Sequence, residues 1–236
     1  MFSITTKKEY WTWLESGVAP VGKGSLKDIQ DALILYFLKD VRDARILELG
    51  GGISRVLPTL AKHSECWNVD KFEGLGGGPV RTQETAGIRI VKEYMGAFSK
   101  ELPDDYFDYV ISISAVEHIP PNLYADAMKD CLRVLRPGSV MIHAIDVYLL
   151  DRIDQHPHGA KNQIRMKMYR STPEILGNKV EWLEPLAVGD DITANSSIAA
   201  NSPDTMYQWN KSAPSLRDLR EIAISCNLTM GLRKRA

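Results

Sequence analysis

"ARILELGGGISRVLPTLAKHSECWNVDKFEG", Ala44 to Gly74, decides the fold. An apolar run, Arg45–Leu49, enters three glycines, and a helical pattern follows from Ile53 to Lys62. A second apolar run, Cys66–Val69, ends on Asp70. Strand, glycine loop, helix and strand in that order make a βαβ unit, and hence part of a parallel sheet. In such sheets ligands sit beyond the carboxyl ends of the strands. Without side chains, Gly50–Gly52 let the backbone pass close to a ligand, and the following helix offers free N–H groups. Asp70 falls about where a carboxylate accepting hydrogen bonds from ribose hydroxyls belongs.

The same alternation extends outward from this unit. Upstream, Leu26, Ile29, Leu33, Tyr36 and Phe37 recur at helical spacing behind a Ser25 cap. Downstream, the glycines and proline of Gly74–Pro79 require a loop. Ile88–Val91 reads as a weak third strand and Tyr106–Ser114 as a strong, fully buried fourth. An amphipathic helix follows, with Leu123, Ala127, Met128, Cys131, Leu132 and Leu135 on one face, stopped by Pro137-Gly138. Ser139–Ile145 is the fifth strand. The fold class is therefore α/β, a doubly wound, mostly parallel Rossmann-like sheet with helices on both faces. From Asp146 to about Asn210 the pattern dissolves into polar sequence, which is expected to form a long insertion or lid after the fifth strand. One domain results: an N-terminal helical cap (1–43), a cofactor-binding core (44–146), the insertion (147–210), and a last helix and strand (211–236).

Composition narrows the function. The 236 residues carry 29 Lys plus Arg against 30 Asp plus Glu, so no overall basic field draws the chain to nucleic acid. Arg233-Lys234-Arg235 is expected to be a solvated tail. Cys66 and Cys131 sit inside apolar patterns and, with Cys226, are odd in number, which favours buried free thiols. The N-terminus lacks the pattern of a signal peptide, and no apolar run approaches the ~20 residues that span a bilayer. A cytoplasmic protein is the expectation.

Three ligand classes compete for the glycine loop. A dinucleotide fingerprint, G-x-G-x-x-G, would put glycine where Arg55 stands. A phosphate-binding P-loop would need Gly-Lys-Ser/Thr, which is missing. Glu48, two residues ahead of Gly50, can accept from an ammonium group or orient the loop, which suits a nucleoside bearing an amino acid better than a pyrophosphate.

"LELGGGISR", "VDKFEG", "LPDDYFDYVISISAVEHIP" and "CLRVLRPGSVMIHAID" resemble the successive motifs of class I S-adenosylmethionine-dependent methyltransferases, in the small-molecule branch with "EH" after the fourth strand. The likeness runs from about Ile29 to Asp146. It implies that Glu48, Gly50 and Gly52 line the methionine end of the cofactor and that Asp70 binds the ribose. It also implies that Lys71 and Phe72 flank the adenine and that Ser114 lies near the methionine moiety. Many relatives carry Asp near Ala97 to receive the adenine amino group. Here Gly96-Ala97-Phe98 stands there, so adenine would be held by backbone groups and apolar contacts around Ala97 and Phe98. The family also ends on two strands after the last helix, and only "LTMGL" is visible. Either the insertion supplies the other strand or the sheet is one strand short.

Methyl transfer is an in-line displacement whose main demand is positioning, and a base is needed only where the acceptor must lose a proton. His118, in "AVEHIP", is the first candidate base, and Asp146 is aimed at the site by its place at a strand end. Asp151, Asp154, His156 and His158 could bind a divalent metal, although their spacing fits no fixed metal motif. Tyr10, Trp11, Trp13, Trp182, Tyr207 and Trp209 would either wall an acceptor pocket or seal the insertion onto the sheet. The leading function is methyl transfer to oxygen or nitrogen of a small molecule or glycan precursor. Alternatives are a nucleic-acid methyltransferase, against which the absent Asp/Asn-Pro-Pro-aromatic motif counts, a nucleotide-binding oxidoreductase, and a binding module that has lost catalysis.

Overall fold

In the computed structural model, residues 1–74, 78–82, 85–150, 157–184 and 195–236 are described. The helices are α1 (Lys7–Glu15), α2 (Leu26–Phe37), α3 (Leu57–Leu60), α4 (Pro121–Val134), α5 (Pro157–Arg170), α6 (Thr172–Ile175), α7 (Pro203–Ser212) and α8 (Arg217–Ile222). The strands are β1 (Phe2–Ile4), β2 (Arg45–Leu49), β3 (Glu65–Val69), β4 (Ile88–Val91), β5 (Phe107–Ile113), β6 (Leu135–Leu149), β7 (Val180–Trp182) and β8 (Ile224–Lys234).

One sheet runs β1-β8-β6-β5-β2-β3-β4, with β7 also on β8. From β4 to β6 all neighbours are parallel, and β8 is antiparallel to β6, β1 and β7. The order reverses at β2, whose neighbours are β3 and β5. That reversal opens a crevice at the carboxyl ends.

Strand alternation divides the core. Ile46, Cys66, Ile111 and Ile142 pack with α1, α2 and α3, whereas Leu47, Trp67, Val110 and Met141 pack with α4, α5 and α6. Both faces are covered, so the inner strands are apolar on both sides. Glu48 breaks this rule: it points to the α2 face in register with Asn68, and both are 2 % exposed.

Both ends of the chain complete the sheet. Gly231 of β8 donates its N–H to the Met1 carbonyl, and its own carbonyl accepts from Leu183. Thus β1 and β7 lie end to end along the outer edge of β8. The strand missing from the sequence pattern comes from β7, between the fifth parallel strand and the last helix. The N-terminal segment, expected to be a helical cap, starts with a strand. Phe2 stacks edge-on against Trp182, 5.3 Å between centroids, and Trp13 is buried beside Tyr36. These two indoles are packing residues.

Other expectations change. The helix foreseen over Ile53–Lys62 shrinks to the single turn α3. Ser54 Oγ accepts from the N–H groups of Val56 and Leu57, which engages those donors outside a helix, and Pro58 falls in the first turn, where its missing N–H is tolerated. Leu135 leaves the α4 face and opens β6, which runs on to Leu149. Arg233 and Lys234 belong to β8 rather than a solvated tail. Lys234 Nζ donates to the carbonyls of Leu132 and Leu135, a cation at the carboxyl end of α4. All three cysteines are free and buried.

Candidate active site

The three glycines each answer to a different neighbour. A Cβ at Gly50, whose φ is +63°, would lie 2.7 Å from the Ala115 Cβ. One at Gly51 would meet the Glu48 carboxyl at 2.7 Å and Asn68 Oδ1 at 2.8 Å, and one at Gly52 would meet Pro79 Cδ at 2.8 Å. Asn68 ties the loop down by accepting from the Gly51 N–H at 3.2 Å and donating to the Gly52 carbonyl at 2.9 Å. Asp70 accepts from the Gly52 N–H at 3.0 Å and from the Phe72 N–H at 2.6 Å. Loop and acid therefore form one hydrogen-bonded unit.

Beneath that loop, Glu48 Oε2 is buried and has no hydrogen-bond partner. Burial pushes its pKa up to about 7, against a smaller opposing pull from Ser54 and Arg55. Arg55 itself forks onto Asp31, at 2.6 and 2.7 Å, and so turns to α2 rather than into the loop.

Further along the crevice, Lys71 Nζ turns to Glu93 Oε1 at 3.3 Å. Phe72 is buried. Phe72, Phe98 and Ser114 hold positive φ of 57°, 53° and 50°. Such backbone strain in non-glycine residues persists where the surroundings over-determine it, and it gathers at functional sites. The 96–98 loop is held by a residue the sequence reading passed over. Asp130 of α4, fully buried, accepts from the N–H groups of Gly96 at 2.7 Å and Phe98 at 3.0 Å while paired with Arg133. The Ala97 N–H goes to the Tyr94 carbonyl. Every N–H of this loop is thus taken, which leaves carbonyls and the half-exposed Phe98 ring for a ligand.

Residues 47–143, from Leu47 beside Glu48 to the middle of β6, match a family model described as a methyltransferase domain. Over that stretch the chain is similar to a methyltransferase domain. Solved structures share this fold at low identity. The YcgJ protein from Bacillus subtilis is 15% identical, with a TM-score of 0.55 over 88% of this chain and 98% of its own. N-methyltransferase NodS from Bradyrhizobium japonicum WM9, solved with S-adenosyl-L-homocysteine, is 13% identical, with a TM-score of 0.53 over 96% and 98%. Geranyl diphosphate C-methyltransferase from Streptomyces coelicolor A3(2), solved with Mg2+, geranyl diphosphate and S-adenosyl-L-homocysteine, is 12% identical, with a TM-score of 0.52 over 93% and 90%. No protein of curated function matches the sequence.

The other half of the crevice lies past β5 and β6. Ser114 Oγ is 2.6 Å from both Gln30 Oε1 and Asp146 Oδ1. Gln30 Nε2 donates to Asp146 Oδ1 at 2.8 Å, and Lys27 Nζ lies 3.7 Å from Asp146 Oδ2. Two α2 residues, Lys27 and Gln30, thus orient the strand-end carboxylate. They lie more than a hundred positions from it in the chain. A 3₁₀ turn, Val116–His118, follows β5. His118 is exposed there, and partial burial of its ring lowers its pKa, which keeps the imidazole neutral and able to accept a proton at pH 7. Glu117 has both carboxylate oxygens shut off from solvent and without a hydrogen-bond partner. The "EH" dipeptide was the only sequence signal for it.

Of the other expectations, Asp151, Asp154 and His156 lie outside the described residues, as does the His158 side chain. Among the described residues no three His, Cys, Asp or Glu side chains gather as a metal site, and no helix is long and apolar enough to cross a membrane. Trp11 and Tyr207 are exposed, and Trp209 faces Arg220 at 5.6 Å. Two hollows among the described residues lie away from the crevice. One of about 620 Å³, lined by Arg42, Arg45, Lys62 and Glu65, sits at the amino ends of β2 and β3. The other, about 350 Å³ between α1, α2 and β8, includes Trp13, Tyr36 and Thr229.

Proposed function

We propose that the protein transfers a methyl group from S-adenosylmethionine to oxygen or nitrogen of a small molecule or glycan precursor. The cofactor would lie across Gly50–Gly52, with Asp70 at the ribose. The observation that carries this reading is Glu48 Oε2, a buried acceptor without a partner under a loop from which every Cβ is excluded. An amino acid's ammonium group would supply the missing donor and charge. Bound there, the cofactor supplies an electrophilic methyl group. The adenine would rest between Phe72, Lys71 and the Ala97–Phe98 loop, by apolar contact and carbonyls, because the loop's N–H groups are in use.

The chain's own part is positioning and proton handling. Ser114, Gln30 and Lys27 hold Asp146 at the far side of the crevice, and His118 stands beyond it. An acceptor placed between would give up its proton to the His118 imidazole or the Asp146 carboxylate as its lone pair attacks.

Calorimetric titration with S-adenosylmethionine, S-adenosylhomocysteine and NAD tests the reading. Both sulfur nucleosides should bind and NAD should not. Asp70→Asn, which keeps the shape but not the charge, should weaken both by about 10- to 100-fold, the loss of a charge-assisted hydrogen bond. Binding of NAD alone would return the loop to the dinucleotide class.

A further inference from the structure

Glu117 is the one buried carboxyl at the crevice that the reading above does not use. The charged and titratable groups around it come from three elements. Asp146 of β6 pushes its pKa up, in the same direction as the larger effect of burial, and Lys27 of α2 pulls it down. Its own N–H and that of Asp146 also pull it down, without closing a hydrogen bond to it. His118 adjoins it in sequence. From α5, Arg165 donates to the Glu117 backbone carbonyl and lies 3.4 Å from the Tyr169 hydroxyl, so its guanidinium is engaged elsewhere. Lys27 is likewise paired with Asp146. Every cation nearby has another partner, and the two oxygens of Glu117 have none.

We propose that the methyl acceptor is an amine, and that Glu117, with Asp146 beside it, receives its nitrogen. This rests on the methyltransferase reading above and narrows it from oxygen or nitrogen to nitrogen. The chemistry of the donor count favours it. A hydroxyl brings one donor and no charge, so it can pair with the neutral acid but offers nothing to offset a second carboxylate near Asp146. An ammonium brings three N–H donors and the positive charge that the cluster lacks.

The proton inventory closes. With no ligand, burial and the nearby Asp146 favour the protonated, neutral form of the Glu117 carboxyl. When R–NH3⁺ enters, that proton leaves to solvent and the carboxylate accepts the ammonium N–H groups. The amine must then expose its lone pair, so one N–H proton passes to the Glu117 carboxylate, giving R–NH2 and restoring the carboxylic acid. The nitrogen lone pair forms the new C–N bond as the sulfonium C–S bond breaks. Sulfur keeps the electron pair, and the positive charge moves to the methylated nitrogen. Glu117 touches the reacting atom and is a catalytic residue in this scheme.

Difference infrared spectroscopy on the protein with S-adenosylhomocysteine at pH 7 tests it. The probes are methylamine, ethanolamine and benzylamine, against methanol, ethylene glycol and benzyl alcohol. A protonated-carboxyl band is expected in the wild type and in Glu117→Asp, and absent from Glu117→Gln. At least one amine should convert it to carboxylate, and no alcohol should. Glu117→Gln should weaken that amine more than tenfold and leave S-adenosylhomocysteine affinity, read by calorimetry on the same samples, within twofold. A band missing from the wild type, or untouched by every amine, or converted equally by the alcohols, overturns the proposal. Wild-type protein that takes amines but not S-adenosylhomocysteine supports the amine site and overturns the cofactor assignment instead.

Discussion

Gly50 shows how much a single position can decide. Its φ of +63° and the Ala115 Cβ, 2.7 Å from where a side chain would start, impose two separate penalties on any substitution. Gly138 has the same hand, φ +80°, but nothing within 4 Å, so it carries the backbone penalty alone. Gly50→Ala should therefore destabilise by more than the about 1–2 kcal/mol that a left-handed L-residue costs, whereas Gly138→Ala should stay within it. Urea unfolding of the two variants checks this, and only Gly50→Ala should also weaken S-adenosylhomocysteine binding. The glycine run was visible in the sequence as a loop, with a ligand expected against it. Which neighbour each glycine yields to was not, because Ala115 and Pro79 reach the loop only through the fold.

Helix α4 was read correctly as amphipathic, with one apolar face. Periodicity says nothing about a polar residue inside that face, and Asp130 is such a residue. It holds the 96–98 loop through two N–H groups and pairs with Arg133. Asp130→Ala leaves the two N–H donors without an acceptor, while Asp104 and the carbonyls of Leu102 and Ser99 keep Arg133 engaged, so the loss should be about 1–3 kcal/mol for each orphaned donor. Asp130→Asn keeps an acceptor oxygen and should cost less; urea midpoints at constant m-value separate the two. A loss below about 1 kcal/mol for Asp130→Ala would refute the anchoring role. Short elements were the least legible: β1 and β7 have three residues each, too few to show alternation. Ahead of α3, the Ser54 hydroxyl took the N–H groups of Val56 and Leu57 and overrode a helical pattern that looked longer.

Stability against pH gathers contributions from across the protein. Glu48 has its folded pKa raised from 4.5 to about 7, and Glu117 is raised well above 4.5. For both, the native state binds more protons between those values, so their contribution is greatest at low pH and is lost as pH rises through the folded pKa. His143, whose Nδ1 lies 2.8 Å from Ser112 Oγ, is buried and lowered from 6.5 to about 4. Its contribution is present above 6.5 and is lost as pH falls toward 4. The ligand-free protein should therefore lose stability as pH rises from about 5 to 8, with His143 opposing that trend below 6.5. Thermal melts of Glu48→Gln should show the alkaline loss reduced, and melts of His143→Gln the acid-side loss removed. An unchanged alkaline slope in Glu48→Gln would mean that its carboxyl is ionised in the empty loop.

The sequence by itself determined the succession of strands and helices, the covered parallel sheet, the glycine loop and Asp70, since each follows from local periodicity or from backbone freedom. It also carried the methyltransferase resemblance. Only the tertiary structure decided that β1 and β7 share one edge of β8. It likewise brought Gln30 and Lys27 to Asp146 and left Glu48 and Glu117 bare beneath the crevice. Pairing between residues far apart in the chain is set by how whole elements pack, and the lack of a partner is known only when every neighbour has been placed.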